Sequence, residues 1–194
     1  MADGTKIPDP INVGTSVEYM WGKSTNQVSV IETDARIPMK HVLSQFVVRL
    51  KVSPEYHNDG NLTSAKLKAT ASKFATTGTM NLNDGGKITF QPTSTELTWS
   101  PNTTVPAQGQ QAVDYAAAIY PMALAAGEVS LEVVIDGATY TYAIPQITWE
   151  AGKRYIYSIT MRSNDAEIGG ENGQSVTIEG WTSTEEDITL VPVK

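Results

Sequence analysis

The chain carries two histidines, and histidine is the side chain most often used as the base in nucleophilic catalysis. His41 borders an apolar segment, and His57 lies in a polar loop rich in Asn, Asp and Gly. The chain has no Cys, and no serine lies in a Gly-x-Ser-x-Gly turn of the kind that exposes a nucleophile. We therefore interpret both histidines as structural or surface residues and predict no catalytic residue.

Asn, Asp and Gly cluster in two segments, 58–61 and 81–86, that faintly resemble calcium loops. Neither segment has the twelve-residue ligand spacing that calcium needs, and the chain has no His-Glu-x-x-His zinc motif. These residues tolerate left-handed backbone conformations and are typical of turns. The Gly-rich segment 169–173 is acidic and precedes a strand, whereas a phosphate-binding loop leads into a helix. The sequence therefore predicts no metal and no cofactor.

Carboxylates and tryptophans could serve carbohydrate chemistry. Glycoside hydrolysis uses two carboxyl groups that flank the bond, but Glu185, Glu186 and Asp187 form one acidic run, which we interpret as solvated. An aromatic ring can instead stack on a sugar, and the candidate ligand-stacking residues are Trp99 and Trp149. Exposed, coplanar rings at these positions would favour a carbohydrate-binding module, whereas buried rings would indicate packing in the core.

The charge of the chain argues against nucleic acid as a partner. Its formal net charge is −7 and it has no basic cluster, whereas Lys and Arg supply most of a protein's affinity for nucleic acid. No segment approaches the roughly 18 consecutive apolar residues of a membrane helix. Residues 1–6 lack the apolar core of a signal peptide, so an exported form of this chain would already have lost its leader.

The elements expected to position these residues are β-strands. Apolar and polar residues alternate over residues 46–52, 65–71, 131–135, 140–144 and 155–161. Asp136-Gly137 separates two of these runs and predicts a hairpin with a type I′ turn. Such alternation favours antiparallel sheets with one solvated face, and two such sheets bury their apolar faces against each other. We predict an all-β fold, an antiparallel two-sheet β-sandwich.

The inward residues of these strands form the predicted core: Phe46, Val48, Leu50, Val133, Ile135, Tyr155, Tyr157 and Ile159. Residues 1–36 differ from the rest, because Pro and Gly interrupt them repeatedly. We interpret residues 1–36 as an extended N-terminal lead-in with a strand at 27–31, and residues 37–194 as the sandwich domain.

Five segments carry a resemblance to a known family. They are MKHVLSQFVV at 39–48, AIYPM at 118–122, VVIDGATY at 133–140, WEAGKRYIYSI at 149–159 and IEGW at 178–181. In the same order, they resemble the F-x-H-x-L-S/A-K-L, L-L-P-Q, V-x-x-D-G-x-x-Y, W/F-x-A-G-K-x-Y-x-Y-x-I and I-x-x-W patterns of the fimbrillin-like proteins of Bacteroidales. Each motif is degenerate, so their common order carries the resemblance.

The resemblance implies an exported protein, often an outer membrane lipoprotein, that assembles into surface fimbriae of the type V pilus kind. Family members usually have two β-sandwich domains of transthyretin-like, Greek-key topology. They polymerise by strand exchange, in which a strand of one subunit completes the next. This chain has no signal peptide and no lipidation Cys, and it is long enough for one full sandwich. We therefore interpret residues 1–36 as the remnant of a missing N-terminal domain.

The resemblance also implies the partners. They are other fimbrial subunits, of the same or another kind, and a host glycan or protein receptor, while a membrane is reached only through a lipid anchor that this chain lacks. The expected location is the cell surface. The leading function is a structural subunit or accessory adhesin that assembles by strand exchange, and the alternative is a non-catalytic carbohydrate-binding module.

The C-terminal tail is the candidate for the exchanging strand. Residues 188–193 are long enough for one strand, and Pro192 has no N–H to donate, which suits an edge position. Either the tail pairs with its own sheet as an edge strand, or it leaves to complete a neighbouring subunit. The candidate strand-exchange residues are Ile188, Leu190, Val191 and Val193.

We expect no hydrolytic activity, because the sequence offers no nucleophile–base pair and no metal motif. Assays against polysaccharides and peptides should give no turnover above the buffer rate. Turnover that a single carboxylate or hydroxyl substitution abolishes would contradict this prediction.

Overall fold

All regular elements are β-strands in the residues that the computed structural model describes, which are 9–25, 34–54, 56, 58, 60–99, 103–104, 113–162, 165–168, 177–180 and 185–189. The alternation of apolar and polar residues explains this content, since alternate side chains of a strand face opposite sides of a sheet. The strands form two larger sheets, here called the front and back sheets, and three small ones.

The front sheet contains, in spatial order, β10 (Val113–Ile119), β4 (Ser44–Val52) and β15 (Lys153–Arg162). The short strands β17 (Thr177–Gly180) and β16 (Asp165–Ile168) pair with the first and second halves of β15. The back sheet contains, in spatial order, β13 (Ala138–Ala143), β12 (Val129–Ile135), β5 (Asn61–Ala69) and β8 (Glu96–Trp99). The two-residue strand β9 (Thr103–Thr104) also pairs with β5.

The strands of the three small sheets pair with no strand of the front or back sheet. The first contains β1 (Ile11–Gly14), β6 (Thr77–Asn81) and β7 (Lys87–Phe90). The second pairs β11 (Met122–Leu124) with β14 (Ile147–Trp149). The third contains β2 (Met20–Gly22), β3 (Asp34–His41) and β18 (Glu185–Thr189), with β3 in the middle.

The main core lies between the front and back sheets. Inward residues of β4 and β15 pack in one cluster with inward residues of β5 and β12. All eight residues predicted for the core are at most 1% exposed. The all-β sandwich is thereby confirmed, and the Greek-key topology stays a prediction.

One central strand pair departs from the antiparallel pattern. β4 and β15 are parallel, with Phe46 beside Tyr155 and Val47 beside Ile156. Alternation within a strand is the same in either direction, so it does not reveal this pairing. Val47 and Ile156 point away from the core, yet both are fully buried. The outer face of the front sheet is therefore apolar at its centre, which period-two patterning alone does not show.

The N-terminal residues 9–25 belong to the folded structure. β1 pairs with β6, and Val13 is buried in a second cluster with Leu43 and Tyr120. The Tyr120 hydroxyl donates to the carbonyl of Val13 at 3.1 Å. The strand predicted at 27–31 lies outside the described residues, and the division of the chain at residue 36 stays a prediction.

The predicted hairpin is confirmed at Asp136-Gly137. β12 and β13 pair antiparallel on either side of these two residues, whose φ angles are 50° and 79°. Positive φ at both central residues defines the type I′ turn, and Gly adopts this conformation without the steric cost that a Cβ brings.

Replacing Gly137 with Val should lower the free energy of unfolding by about 1–3 kcal/mol. No atom lies within 4 Å of a Cβ built at this position, so the expected cost comes from the backbone conformation and not from a clash. Urea denaturation of the variant measures it. Gly180→Val is the matched control, since that position is equally open and its φ lies outside the left-handed region. Equal losses in both variants would contradict the prediction.

Candidate functional site

The two candidate stacking residues lie around one buried ring. Trp149 is fully buried, and its ring meets that of Phe46 edge-to-face with 5.7 Å between centroids. Trp99 meets the same Phe46 ring in the same manner, also at 5.7 Å. Trp149 therefore has no face to offer a sugar, which counts against the stacking prediction for this residue.

Trp99 keeps some exposed surface. It packs partly against the core and lines an open groove of about 460 Å³ together with Gln45, Val17 and Ala117. Because Trp149 is buried, the structure does not supply the pair of exposed coplanar rings that the carbohydrate-binding alternative requires.

The first residues of the candidate exchanging strand form an edge. Ile188 lies in β18, which pairs antiparallel with β3 and places Ile188 opposite Ala35. Leu190, Val191 and Val193 lie outside the described residues. β18 has one strand partner within the described part of the chain, so it is an edge strand of its sheet there.

The ladder between β18 and β3 is short. Thr25 donates its N–H to the carbonyl of Arg36 at 3.1 Å, so Arg36 faces the β2 side. Alternate residues of a strand hydrogen-bond to opposite neighbours, so Ala35 and Ile37 face β18. Their partners are Ile188 and Glu186, and these two pairs hold β18 in place.

The strand that carries β18 is anchored firmly to the body of the protein. Trp21 of β2 donates its indole N–H to the carbonyl of Leu82 at 3.0 Å, and Lys40 of β3 lies 5.0 Å from the Trp21 ring centroid. At the end of β3, His41 is buried and its Nδ1 contacts the carboxylate of Glu18. β3 is thus fixed by its side chains, and β18 pairs with β3 through the backbone ladder.

The turn that supports Trp21 has a glycine at the contact. Gly86 has a φ of 76°, and a Cβ built there would lie 2.6 Å from the Cβ of Trp21. The sequence analysis assigned segment 81–86 to a turn but did not identify the contact between this turn and Trp21. The Gly85-Gly86 pair was the signal for such a contact, since a residue without a Cβ lets another side chain approach the backbone closely.

A network at the tip of the hairpin joins it to the loop before β5. The Asp136 carboxylate accepts hydrogen bonds from the hydroxyl of Tyr56 and from the N–H groups of Gly60 and Asn61, the latter two at 2.9 and 2.8 Å. The N–H of Asp136 donates to the carbonyl of Asn61 at 2.9 Å. These bonds fix the hairpin against the neighbouring strand.

The same network shifts two pKa values in opposite directions. Burial opposes ionisation of Asp136, but the bonds from Tyr56, Asn61 and Gly60 outweigh it and hold the pKa of that carboxyl below its ordinary value. Burial, together with the Asp136 carboxylate, raises the pKa of Tyr56 to about 12. Both shifts favour one arrangement, an ionised Asp136 beside a protonated Tyr56.

A second charged cluster spans the front sheet. Arg49 of β4 donates through Nε and Nη2 to the two carboxylate oxygens of Asp114 on β10, at 2.6 and 2.8 Å. Nη2 of Arg154 on β15 lies 3.6 Å from the same carboxylate. The hydrogen bond from Arg49 lowers the pKa of Asp114. This cluster aligns three adjacent strands, and the sequence pattern gave no sign that these residues meet.

Within the described residues, no three or more His, Asp or Glu side chains converge to hold a metal ion. No helix in the described part of the chain is long and apolar enough to cross a membrane. The features that stand out there are edges of sheets and the contacts that position them.

Comparisons with known proteins address the family and the fold. A family model described as fimbrillin-like matches residues 10–181. The fold is similar to that of a candidate cell adhesion protein from Bacteroides uniformis, with a TM-score of 0.55, 18% identity, and coverage of 94% of this chain and 68% of that one. No curated protein matches the sequence.

Two further solved structures are similar. A candidate cell adhesion protein from Bacteroides ovatus has a TM-score of 0.51 and 18% identity, with coverage of 87% of this chain and 62% of that one. A fimbrial protein from Bacteroides vulgatus has a TM-score of 0.48 and 18% identity, with coverage of 75% and 56%. The chain thus spans between 56% and 68% of the length of these three proteins.

Replacing Asp136 with Asn should lower the free energy of unfolding at pH 7 by about 1.5–3 kcal/mol, the usual contribution of hydrogen bonds to a charged group. The ionised carboxylate stabilises the fold above the ordinary carboxyl pKa of about 3.9, and this contribution is lost as the pH falls through the lowered pKa. The variant should therefore lose less stability than the wild type between about pH 5 and pH 2.

Urea denaturation across this pH range measures both effects. Asp84→Asn is the matched control, since the side chain of Asp84 is 64% exposed, and it should change stability by less than about 0.5 kcal/mol. The network would be refuted by a variant at position 136 that behaves like this control.

Proposed function

Because the chain belongs to the fimbrillin-like family, we propose that it is a structural subunit or accessory adhesin of bacterial surface fimbriae that assembles by β-strand exchange. Its location is then the cell surface, and its partners are other fimbrial subunits, of the same or another kind. The receptor is a host glycan or protein, and any attachment to the outer membrane is through a lipid anchor.

The position of β18 is the observation that carries strand exchange. Among the described strands, β18 pairs with β3 alone, so it is an edge strand there, and it leads directly into residues 190–194. Strand exchange requires a strand that can leave without opening the core of its own subunit. Within the described part of the chain, β18 lies at the edge of a three-stranded sheet, so its departure opens one ladder, that with β3.

The energy of the β18–β3 ladder is in the right range for exchange. Two hydrogen-bonded residue pairs supply at most four backbone hydrogen bonds. At a net 0.5–1.5 kcal/mol each, they contribute about 2–6 kcal/mol. The same strand recovers this energy by pairing with an edge of a neighbouring subunit, where alternate side chains also enter pockets.

The C-terminal segment 185–193 has an acidic first part and an uncharged second part. Glu185, Glu186 and Asp187 are acidic, and charges on an edge strand discourage unspecific pairing. The residues that follow, 188–193, are uncharged and suited to a partner's sheet. This mechanism requires no titratable group, in keeping with a non-enzymatic, structural role.

Deletion of residues 188–194 tests the proposal. We expect the truncated chain to melt about 2–12 °C below the full chain, since losing one hydrogen-bonded pair costs about 1–3 kcal/mol. It should also be absent from the polymers that the full-length subunits form, as judged by electron microscopy and size-exclusion chromatography.

A peptide of residues 185–194 provides the complementary experiment. It should inhibit polymerisation of the full chain by occupying the acceptor edge, whereas a peptide of the same composition in scrambled order should not. A truncated chain that still assembles like the full chain would show that the tail serves its own sheet and not a neighbour.

A further inference from the structure

Two Asp-Gly pairs among the described residues lie in turns, and they differ in how the carboxylate is held. At the tip of the β12–β13 hairpin, the carboxylate of Asp136 accepts three hydrogen bonds. In the turn between β6 and β7, the side chain of Asp84 is 64% exposed and forms an ion pair with Lys87 at 3.8 Å. Exposed ion pairs of this kind contribute little stability, so the carboxyl group of Asp84 is free to change its rotamer.

The residue after Asp84 leaves its backbone nitrogen accessible. Gly85 has no Cβ to obstruct the approach of a carboxyl carbon, and apart from its chain neighbours no atom lies within 4 Å of a Cβ built there. The hydrogen-bonded N–H groups of this turn are those of Leu82, Asn83, Asp84, Gly86 and Lys87. Within the described part of the chain, the N–H of Gly85 has no hydrogen-bond partner. This nitrogen and the carboxyl group that precedes it can therefore meet.

We propose that Asp84 is a site of spontaneous isomerisation to isoaspartate, through a cyclic succinimide formed with Gly85. In the first step the backbone nitrogen of Gly85 attacks the side-chain carboxyl carbon of Asp84. A C–N bond forms, and the carboxyl hydroxyl leaves as water with the proton of the amide.

The second step consumes the water that the first step released. Addition of water to the side-chain carbonyl of the succinimide restores Asp84. Addition to the main-chain carbonyl breaks the original peptide bond to Gly85 and leaves the chain linked through the side chain, which is isoaspartate. The composition of the chain is unchanged, so no reactant other than water is needed.

The second Asp-Gly pair is protected from this reaction. The carboxyl group of Asp136 must leave its three hydrogen bonds before its carbon can reach the nitrogen of Gly137. Hydrogen bonds to a charged group are strong enough that this requirement slows the reaction by at least about tenfold. The carboxyl hydroxyl leaves only from the protonated acid, and the same bonds hold the pKa of Asp136 below its ordinary value.

Isoaspartate at position 84 alters the turn that supports Trp21. The main chain becomes longer by one carbon between residues 84 and 85. The N–H of Lys87 donates to the main-chain carbonyl of Asp84 at 3.1 Å, and in isoaspartate this carbonyl becomes part of a free carboxylate. Gly86 packs directly against Trp21, so we expect this contact to loosen and the modified chain to melt at a lower temperature.

Peptide mapping of the full chain, incubated at 37 °C at about pH 6 and about pH 8.5, tests the proposal. Residues 74–87, released by trypsin, and residues 133–150, released by a Glu-specific protease, each contain a single Asp. Electron-transfer fragmentation distinguishes isoaspartate from Asp in these peptides. Isoaspartate should accumulate at position 84 and at least about tenfold more slowly at position 136. The reaction at position 84 should be faster at the lower pH, where carboxyl groups are protonated more often.

Three controls identify the cause. In guanidinium chloride the unfolded chain should react at similar rates at both positions, because the dipeptide is the same and the fold no longer distinguishes them. Tyr56→Phe removes one of the three hydrogen bonds and should speed the reaction at position 136 without changing it at position 84. Asp84→Glu keeps the exposed charge but requires a larger ring, so peptide 74–87 of this variant should stay unmodified and its melting temperature should not fall with incubation.

The proposal is overturned if Asp84 stays unmodified in the folded chain for as long as the unfolded chain needs to react. It also fails if the folded chain reacts equally fast at positions 84 and 136. An incubated wild-type chain that contains isoaspartate at position 84 and still melts like the fresh chain would refute the expected loosening at Trp21.

Discussion

The buried ring of Phe46 contacts aromatic side chains from three other strands, and these contacts join the sheets of the structure. It stacks on Tyr157 of the neighbouring strand at 4.6 Å and meets Trp99 and Trp149 edge-to-face at 5.7 Å each. Through these rings the front sheet, the back sheet and the β11–β14 pair share one buried centre. Aromatic side chains bury large apolar areas and prefer these geometries, so the cluster fixes how the layers sit together.

Local features of this fold could be predicted from the sequence because they depend on neighbouring residues. Burial at every second position of β4, β12 and β15 follows from the geometry of a strand, and all eight predicted core residues are buried. The Asp136-Gly137 turn follows from the conformations that these two residues tolerate. The likeness of segments such as 149–159 to fimbrillin-like motifs is equally local, and the family model covers the same region.

Features that depend on distant residues could not be predicted in this way. Tyr56 and Asp136 bond across 80 positions, and no spacing rule connects them. The burial of Trp149 depends on where β14 lies relative to Phe46, whereas a Trp on a surface has the same local sequence signature. That β13 is an edge strand among the described residues is visible only once its pairing with β12 is known. For the candidate site, the sequence located the tail but not the strand that holds it.

The parallel pairing of β4 with β15 bears on how the chain acquires its fold during synthesis. The two central strands of the front sheet are separated by residues 53–152, so β4 leaves the ribosome long before its neighbour exists. Pairs with such large sequence separation form slowly, because the intervening loop must close before any contact rewards it. β4 has neither of its front-sheet neighbours until β10 is made, and the sheet stays incomplete until β15 follows. The front sheet is therefore completed late in the synthesis of the chain.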